Sequence, residues 1–202
     1  MYTDVYFTNR TLNWEGHVGL AFFQKQTSTS GNASRVFQTL KQCPPGWSHQ
    51  IRIFWDLNYR LVSSSGNISE PAVLSTIHSQ EKKKFMLYKD GTLSMIQSFR
   101  NGCREIEFEQ LKGRPCSGIR LYRGNSLIAE LSFTTKVVSF RVDTTINLLP
   151  FFGGVEGDPV PKEADQSFTS GLSFDYTGIK EMELSFNAFA QKQLEIGKIS
   201  RW

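Results

Sequence analysis

Cys43-Pro44-Pro45-Gly46-Trp47-Ser48 runs straight into His49-Gln50-Ile51-Arg52-Ile53-Phe54-Trp55-Asp56-Leu57-Asn58-Tyr59-Arg60-Leu61. The odd positions, His49 through Ile51, Ile53, Trp55, Leu57 and Tyr59 to Leu61, form one apolar row. The even positions are polar, with Phe54 as the large apolar exception. Side chains alternate across a strand, so the pattern predicts one long strand over 49–61 with a single buried face. Pro44 and Pro45 lack the N–H a central ladder needs, which sets them in a turn just before it. Such a strand needs partners on both edges and a second layer over its apolar side.

The rest of the chain supplies further strands. Val5 and Phe7 alternate with polar neighbours, as do Val18, Leu20 and Phe22. Asp90-Gly91 marks a tight hairpin between 85–89 and 92–96, because this pair tolerates the positive φ such a turn requires. A second hairpin turns at Gly124-Asn125. Ile106 and Phe108, Val138 to Val142, Ile146 and Leu148, Phe168 to Phe174 and Met182 to Phe186 continue the alternation. This makes about a dozen short strands with turn signals roughly every 8 to 12 residues, the pattern of an all-β fold, an antiparallel β-sandwich or flattened barrel. No composition break divides the chain, so residues 1–202 read as a single β-sandwich-like domain. Ser69-Glu70-Pro71 resembles a helix start, yet Val73, Leu74 and Ile77 suit a strand equally well, and 70–80 stays open. Val155 to Gln166 carries Pro159, Pro161 and several carboxylates, and is expected to be a solvent-exposed flap.

Composition narrows the function classes. A charged fraction of 21% beside 39% hydrophobic is that of an ordinary globular chain. The net charge of +4 is mild, and Lys82-Lys83-Lys84 has no basic-aromatic repeat around it, so it reads as a solvated turn and no nucleic-acid partner is expected. The residues after Met1 form no signal peptide, and no run reaches the roughly 18 apolar residues of a membrane span, so the expected location is cytoplasmic. The sequons at Asn9, Asn32 and Asn67 are then chance matches. Cys43, Cys103 and Cys116 match no zinc or redox spacing; a Cys103–Cys116 bridge is left open.

Three blocks of residues belong together. Asn9-Arg10-Thr11 with Gly16 to Gln24 is the first. Pro44-Pro45-Gly46 with Ile53-Phe54-Trp55 and Tyr59 is the second and most specific. Gly118-Ile119 onward to Asn147-Leu148-Leu149-Pro150-Phe151-Phe152-Gly153-Gly154 is the third. Together they resemble the RhiA-like proteins, a small all-β family without established chemistry. Ser79 to Cys116 departs from the family. The resemblance implies the fold and brings no catalytic residue.

His17, His49 and His78 have no metal-ligand spacing, and Gly153 to Asp158 lacks the Lys-Ser/Thr of a phosphate loop, so no metal and no cofactor is expected. Glu156 and Asp158 alone do not reach the ligand density of a calcium loop. What remains is aromatic, since Phe, Tyr and Trp make up 13% of the chain. Trp47, Trp14, Tyr59, Phe151 and Phe152 are candidates to line a pocket for an apolar small molecule of terpenoid or secondary-metabolite type, with His17 as a polar point. His49 is the candidate catalytic group, orienting substrate for cyclisation or isomerisation without nucleophile or metal. The bland alternatives are a satisfied histidine and core aromatics. The alternative function is a non-catalytic β-sandwich that binds carbohydrate or a membrane surface through exposed aromatics.

Overall fold

The computed structural model describes residues 2–11, 18–24, 34–75, 81–88, 92–100, 104–111, 116–150, 154–160, 172–187 and 193–202. The protein is all-β. Its strands are β1 (Tyr2–Asn9), β2 (Val18–Phe23), β3 (Val36–Cys43), β4 (Ser48–Phe54), β5 (Leu57–Ser63), β6 (Ala72–Ser75), β7 (Glu81–Leu87) and β8 (Leu93–Arg100), followed by β9 (Glu105–Gln110), β10 (Cys116–Arg123), β11 (Ser126–Ser132), β12 (Val137–Arg141), β13 (Thr145–Pro150), β14 (Leu172–Asp175), β15 (Ile179–Asn187) and β16 (Gln193–Arg201). They form four four-stranded sheets, in the orders β16-β15-β1-β4, β14-β13-β2-β3, β11-β10-β5-β6 and β12-β9-β7-β8. None of these closes into a barrel. Among the described residues no helix is long and apolar enough to cross a membrane.

The sequence reads as one domain; the chain's contacts divide into two compact units. The first holds the sheets built from β1–β4 and β13–β16. The second, Asp56–Asp143 in its described part, holds the other two. The chain thus leaves the first unit after Trp55 and returns to it at Thr144. Each unit has the two-sheet make-up of a sandwich.

That division corrects the reading of the opening stretch. The strand expected over 49–61 is two strands, β4 and β5, broken at Trp55 and Asp56. The apolar alternation runs through the break, since Ile51, Ile53, Trp55 and Leu57 are all buried. Trp55 anchors the end of the first segment. Its indole N–H donates to Thr3 Oγ1 at 2.8 Å, and that hydroxyl donates on to the Ile179 carbonyl at 2.6 Å. The ring stacks on Tyr176, with centroids 3.6 Å apart.

The inner face of the β16-β15-β1-β4 sheet is Val5 and Phe7, Ile51 and Ile53, Met182, Leu184 and Phe186, all buried. Burying each such side chain contributes about 1.5–3 kcal/mol, which is what holds the sheet against its partner layer. All strand pairings but two are antiparallel; β1 lies parallel to β15 and β7 parallel to β9. Parallel neighbours need long connections, and sequence alternation carries no record of them.

Further expectations resolve here. Residues 72–75 are strand β6, not helix. The β10–β11 hairpin turns at Gly124 with φ +57°, as its Gly-Asn sequence requires. Asp90-Gly91 lies outside the described residues, though β7 and β8 pair antiparallel on either side of it. Lys82-Lys83-Lys84 is not a turn: it lies within β7. The first half of the expected flap is not free in water either. Val36 N–H donates to the Asp158 carbonyl at 3.0 Å, Gly157 N–H to the Val36 carbonyl at 2.7 Å and Val160 N–H to the Ser34 carbonyl at 2.8 Å. Val160 is buried with Ala21, Phe23 and Val36. An edge strand's unpaired backbone groups outweigh the prolines here. Residues 161–166 lie outside the described part.

Candidate functional site

The Pro-Pro-Gly turn is tied down before it presents anything. Gly46, at φ +76°, donates its N–H to the Asn9 carbonyl at 2.7 Å, and Asn9 N–H donates to the Trp47 carbonyl at 3.0 Å. The Asn9 side chain, fully buried, donates from Nδ2 to the Cys43 carbonyl at 2.9 Å and accepts from Thr11 Oγ1 at 2.8 Å. The Asn9 sequon is therefore consumed by the turn and closed to glycosylation. Burial raises the Cys43 thiol above its usual pKa, which suits a structural cysteine.

On this base Trp47 is 62% exposed. A large ring held out on a fixed turn has no packing role. His49 faces the other way, opposite Phe7 on β1. It is half-buried, and its Nε2 is buried without a hydrogen-bond partner among the described residues. Among the described residues predicted for a pocket, Trp47 and His49 belong to the first unit. Tyr59 belongs to β5 in the second unit, opposite Leu121 and Ala72, where burial raises its phenol pKa. Trp14, His17, Phe151 and Phe152 lie outside the described residues, as does Cys103.

The outer face of the β16-β15-β1-β4 sheet carries what the sequence reading passed over. At one end Arg52 clamps Asp4, Nε to Oδ1 at 2.8 Å and Nη2 to Oδ2 at 3.2 Å. Its guanidinium also lies 4.1 Å from the centre of the Tyr2 ring, which meets Phe54 edge-on at 6.4 Å. This cluster is internally satisfied. One step along, Tyr6 of β1 stands between Gln50 of β4 and Glu183 of β15, in register. Tyr6 is 40% exposed, and Gln50 and Glu183 are exposed beside it. The Glu183 carboxylate has no ion-pair or hydrogen-bond partner among the described residues. It lies across the backbone of Gly197 on β16: a Cβ there would sit 3.2 Å from both Glu183 Cβ and Oε2. The row Gln50–Tyr6–Glu183 is thus an exposed aromatic ring flanked by an amide and a carboxylate, with Gly197 under the carboxylate. Its signal in the sequence was Tyr2-x-Asp4-x-Tyr6-x-Thr8, tyrosines on the polar side of an alternating strand.

Searches against protein-family models, curated proteins and solved structures find no match to this chain.

Proposed function

We propose that the protein is a binding module whose first unit takes a carbohydrate across the outer face of β4, β1 and β15. The observation that carries this reading is the Tyr6 row. A pyranose offers an apolar C–H face, which stacks on an exposed aromatic ring, and a rim of hydroxyls. Each hydroxyl both donates and accepts, and so matches a carboxylate and an amide at once. A membrane surface suits the face less well, because Arg52 is spent on Asp4 while the exposed Glu183 would meet anionic headgroups with like charge.

Affinity electrophoresis through gels carrying neutral polysaccharides tests the reading, with liposome co-sedimentation beside it. Retardation by at least one polysaccharide is expected. Tyr6→Ala should weaken it about tenfold, the equivalent of about 1.4 kcal/mol, and Glu183→Gln should weaken it by a smaller factor. Wild-type mobility for both variants, or liposome binding with no retardation, would overturn it.

A second reading is favoured by one observation, the unpartnered Nε2 of His49. A buried ring nitrogen without a partner costs free energy unless something satisfies it. A largely apolar small molecule with one polar atom, oriented there for binding or for a cofactor-free cyclisation or isomerisation, would do so. Apolar ligands should then raise the melting temperature of the wild type and not of His49→Phe; equal shifts in both would dismiss it.

A further inference from the structure

The outer face of the β11-β10-β5-β6 sheet holds an electrostatic imbalance. Arg60 on β5 is directly opposite Arg120 on β10, and Arg120 is directly opposite Glu130 on β11. Residues so placed have Cβ atoms about 4.5–5.5 Å apart, and like charges there are destabilising. Glu130 settles one of the two. Its Oε1 accepts from Arg120 Nε and Nη2, each at 2.9 Å. Among the described residues Arg60 has no carboxylate within ion-pair distance. Its guanidinium instead lies over the Tyr122 ring, 5.3 Å from the centre, so the ring covers part of its surface without neutralising it.

Gly118, two residues before Arg120, is buried against the neighbouring strand: a Cβ there would fall 2.6 Å from the Leu131 carbonyl oxygen, so no side chain stands beside the pair at that position. Two guanidinia against one carboxylate leave one positive charge. Arg60 and Arg120 are both partly exposed, so an anion reaches them from solvent.

We propose that Arg60 and Arg120 form a binding site for a tetrahedral oxyanion, a phosphate or sulfate, either free or esterified on a larger ligand. The anion would accept from Arg60 and from Arg120, turning a repulsive pair into a bridged one. Arginine suits this better than lysine, because its planar fork offers two parallel N–H groups to two oxygens.

The test follows the arginine Nε–Hε resonances and the melting temperature of the full chain. The titrants are inorganic phosphate, sulfate and acetate, with sodium chloride at matched ionic strength. Phosphate and sulfate should shift the Arg60 and Arg120 signals saturably and raise the melting temperature; chloride should do neither. Arg60→Gln should weaken phosphate binding about tenfold or more, as expected for loss of a charge-assisted bidentate contact. Arg60→Lys should fall between. Glu130→Gln frees Arg120 and should tighten binding, an outcome no merely structural arginine produces. Phenyl phosphate and a sulfated disaccharide separate the sources: tighter binding than the inorganic ion points to an ester, equal binding to the free ion. The proposal is overturned if chloride matches phosphate, if Arg60→Gln responds like the wild type, or if Glu130→Gln weakens binding.

Discussion

Two sheet faces, one in each unit, are built from the same kinds of residue and do opposite things with them. On the β12-β9-β7-β8 sheet, Lys82 and Lys84 of β7 meet Glu105, Glu107 and Glu109 of β9. Lys82 Nζ is 3.4 Å from Glu105 and 2.6 Å from Glu107; Lys84 Nζ is 3.2 Å from Glu107 and 2.8 Å from Glu109. Lys136 closes the ladder on Glu109 at 2.5 Å. Parallel strands stagger their side chains, so each ammonium reaches two carboxylates. Each of these six charges is spent inside the face. On the outer face of β4, β1 and β15 the Arg52–Asp4 pair is spent in the same way, while Tyr6, Gln50 and Glu183 are not. A polar face that satisfies itself is there for the fold, and one that leaves groups unmatched in register has its partner elsewhere.

The largest effect that sharpens this contrast comes from beneath the open face. If the first unit is held by its inner side alone, Trp55→Ala should cost about 3–5 kcal/mol. It removes the Tyr176 stack and the hydrogen bond to the Thr3 hydroxyl, and leaves a void. Urea unfolding followed by tryptophan fluorescence measures it. A wild-type midpoint would mean that Trp55 does not hold the end of β4 and that the outer face carries more of the stability than argued.

The next effect concerns the closed face and acid. Lys82 and Lys84 hold the Glu107 carboxyl below its ordinary pKa, and Lys136 with Lys84 brings Glu109 down to about 2. Both values are depressed in the folded protein. The stabilisation they carry is therefore whole above the unfolded carboxylate value near 4.3, and is lost as pH falls through the folded one. Denaturant midpoints for the second unit should drop between about pH 4.3 and about pH 2. Glu107→Gln should flatten that drop and cost about 1 kcal/mol at pH 7, since it breaks two pairs whose side chains are mostly shielded from water. An acid profile that Glu107→Gln leaves unchanged would show the ladder to be decoration.

This ladder also shows what was legible. Three successive lysines look like a solvated turn when read alone. Glu105-x-Glu107-x-Glu109, at the spacing of one strand face, was the matching half, but a parallel pairing is not announced by any local signal. The all-β class was legible because burial imposes a period of two on nearly every segment. The break at Trp55 and Asp56 was not, because the same period runs straight across it. The turn at Pro44-Pro45-Gly46 was read correctly from backbone chemistry, and Trp47 stands exposed on it. The partner of Arg52 is Asp4, which alternation along β4 had no means of naming. The Tyr6 row needed three strands from opposite ends of the chain to become a row at all.

The smallest expected change in stability is the most telling for the comparison. Gln50→Ala with Glu183→Gln alters two exposed groups of the open face, neither of which bonds to another described residue. Such changes normally fall within about 0.5 kcal/mol of zero. Removing the Glu183 charge also relieves its repulsion from nearby Glu181, so a slight gain is in keeping. The same kind of substitution, carboxylate to amide, is thus expected to cost about 1 kcal/mol at Glu107 and almost nothing at Glu183. Binding should invert the order: polysaccharide retardation should fall with the open-face variant and stay at the wild-type level with Glu107→Gln. If the open-face variant loses as much stability as the ladder variant, Gln50 and Glu183 are structural after all. The two faces would then differ only in how visibly their contacts are made.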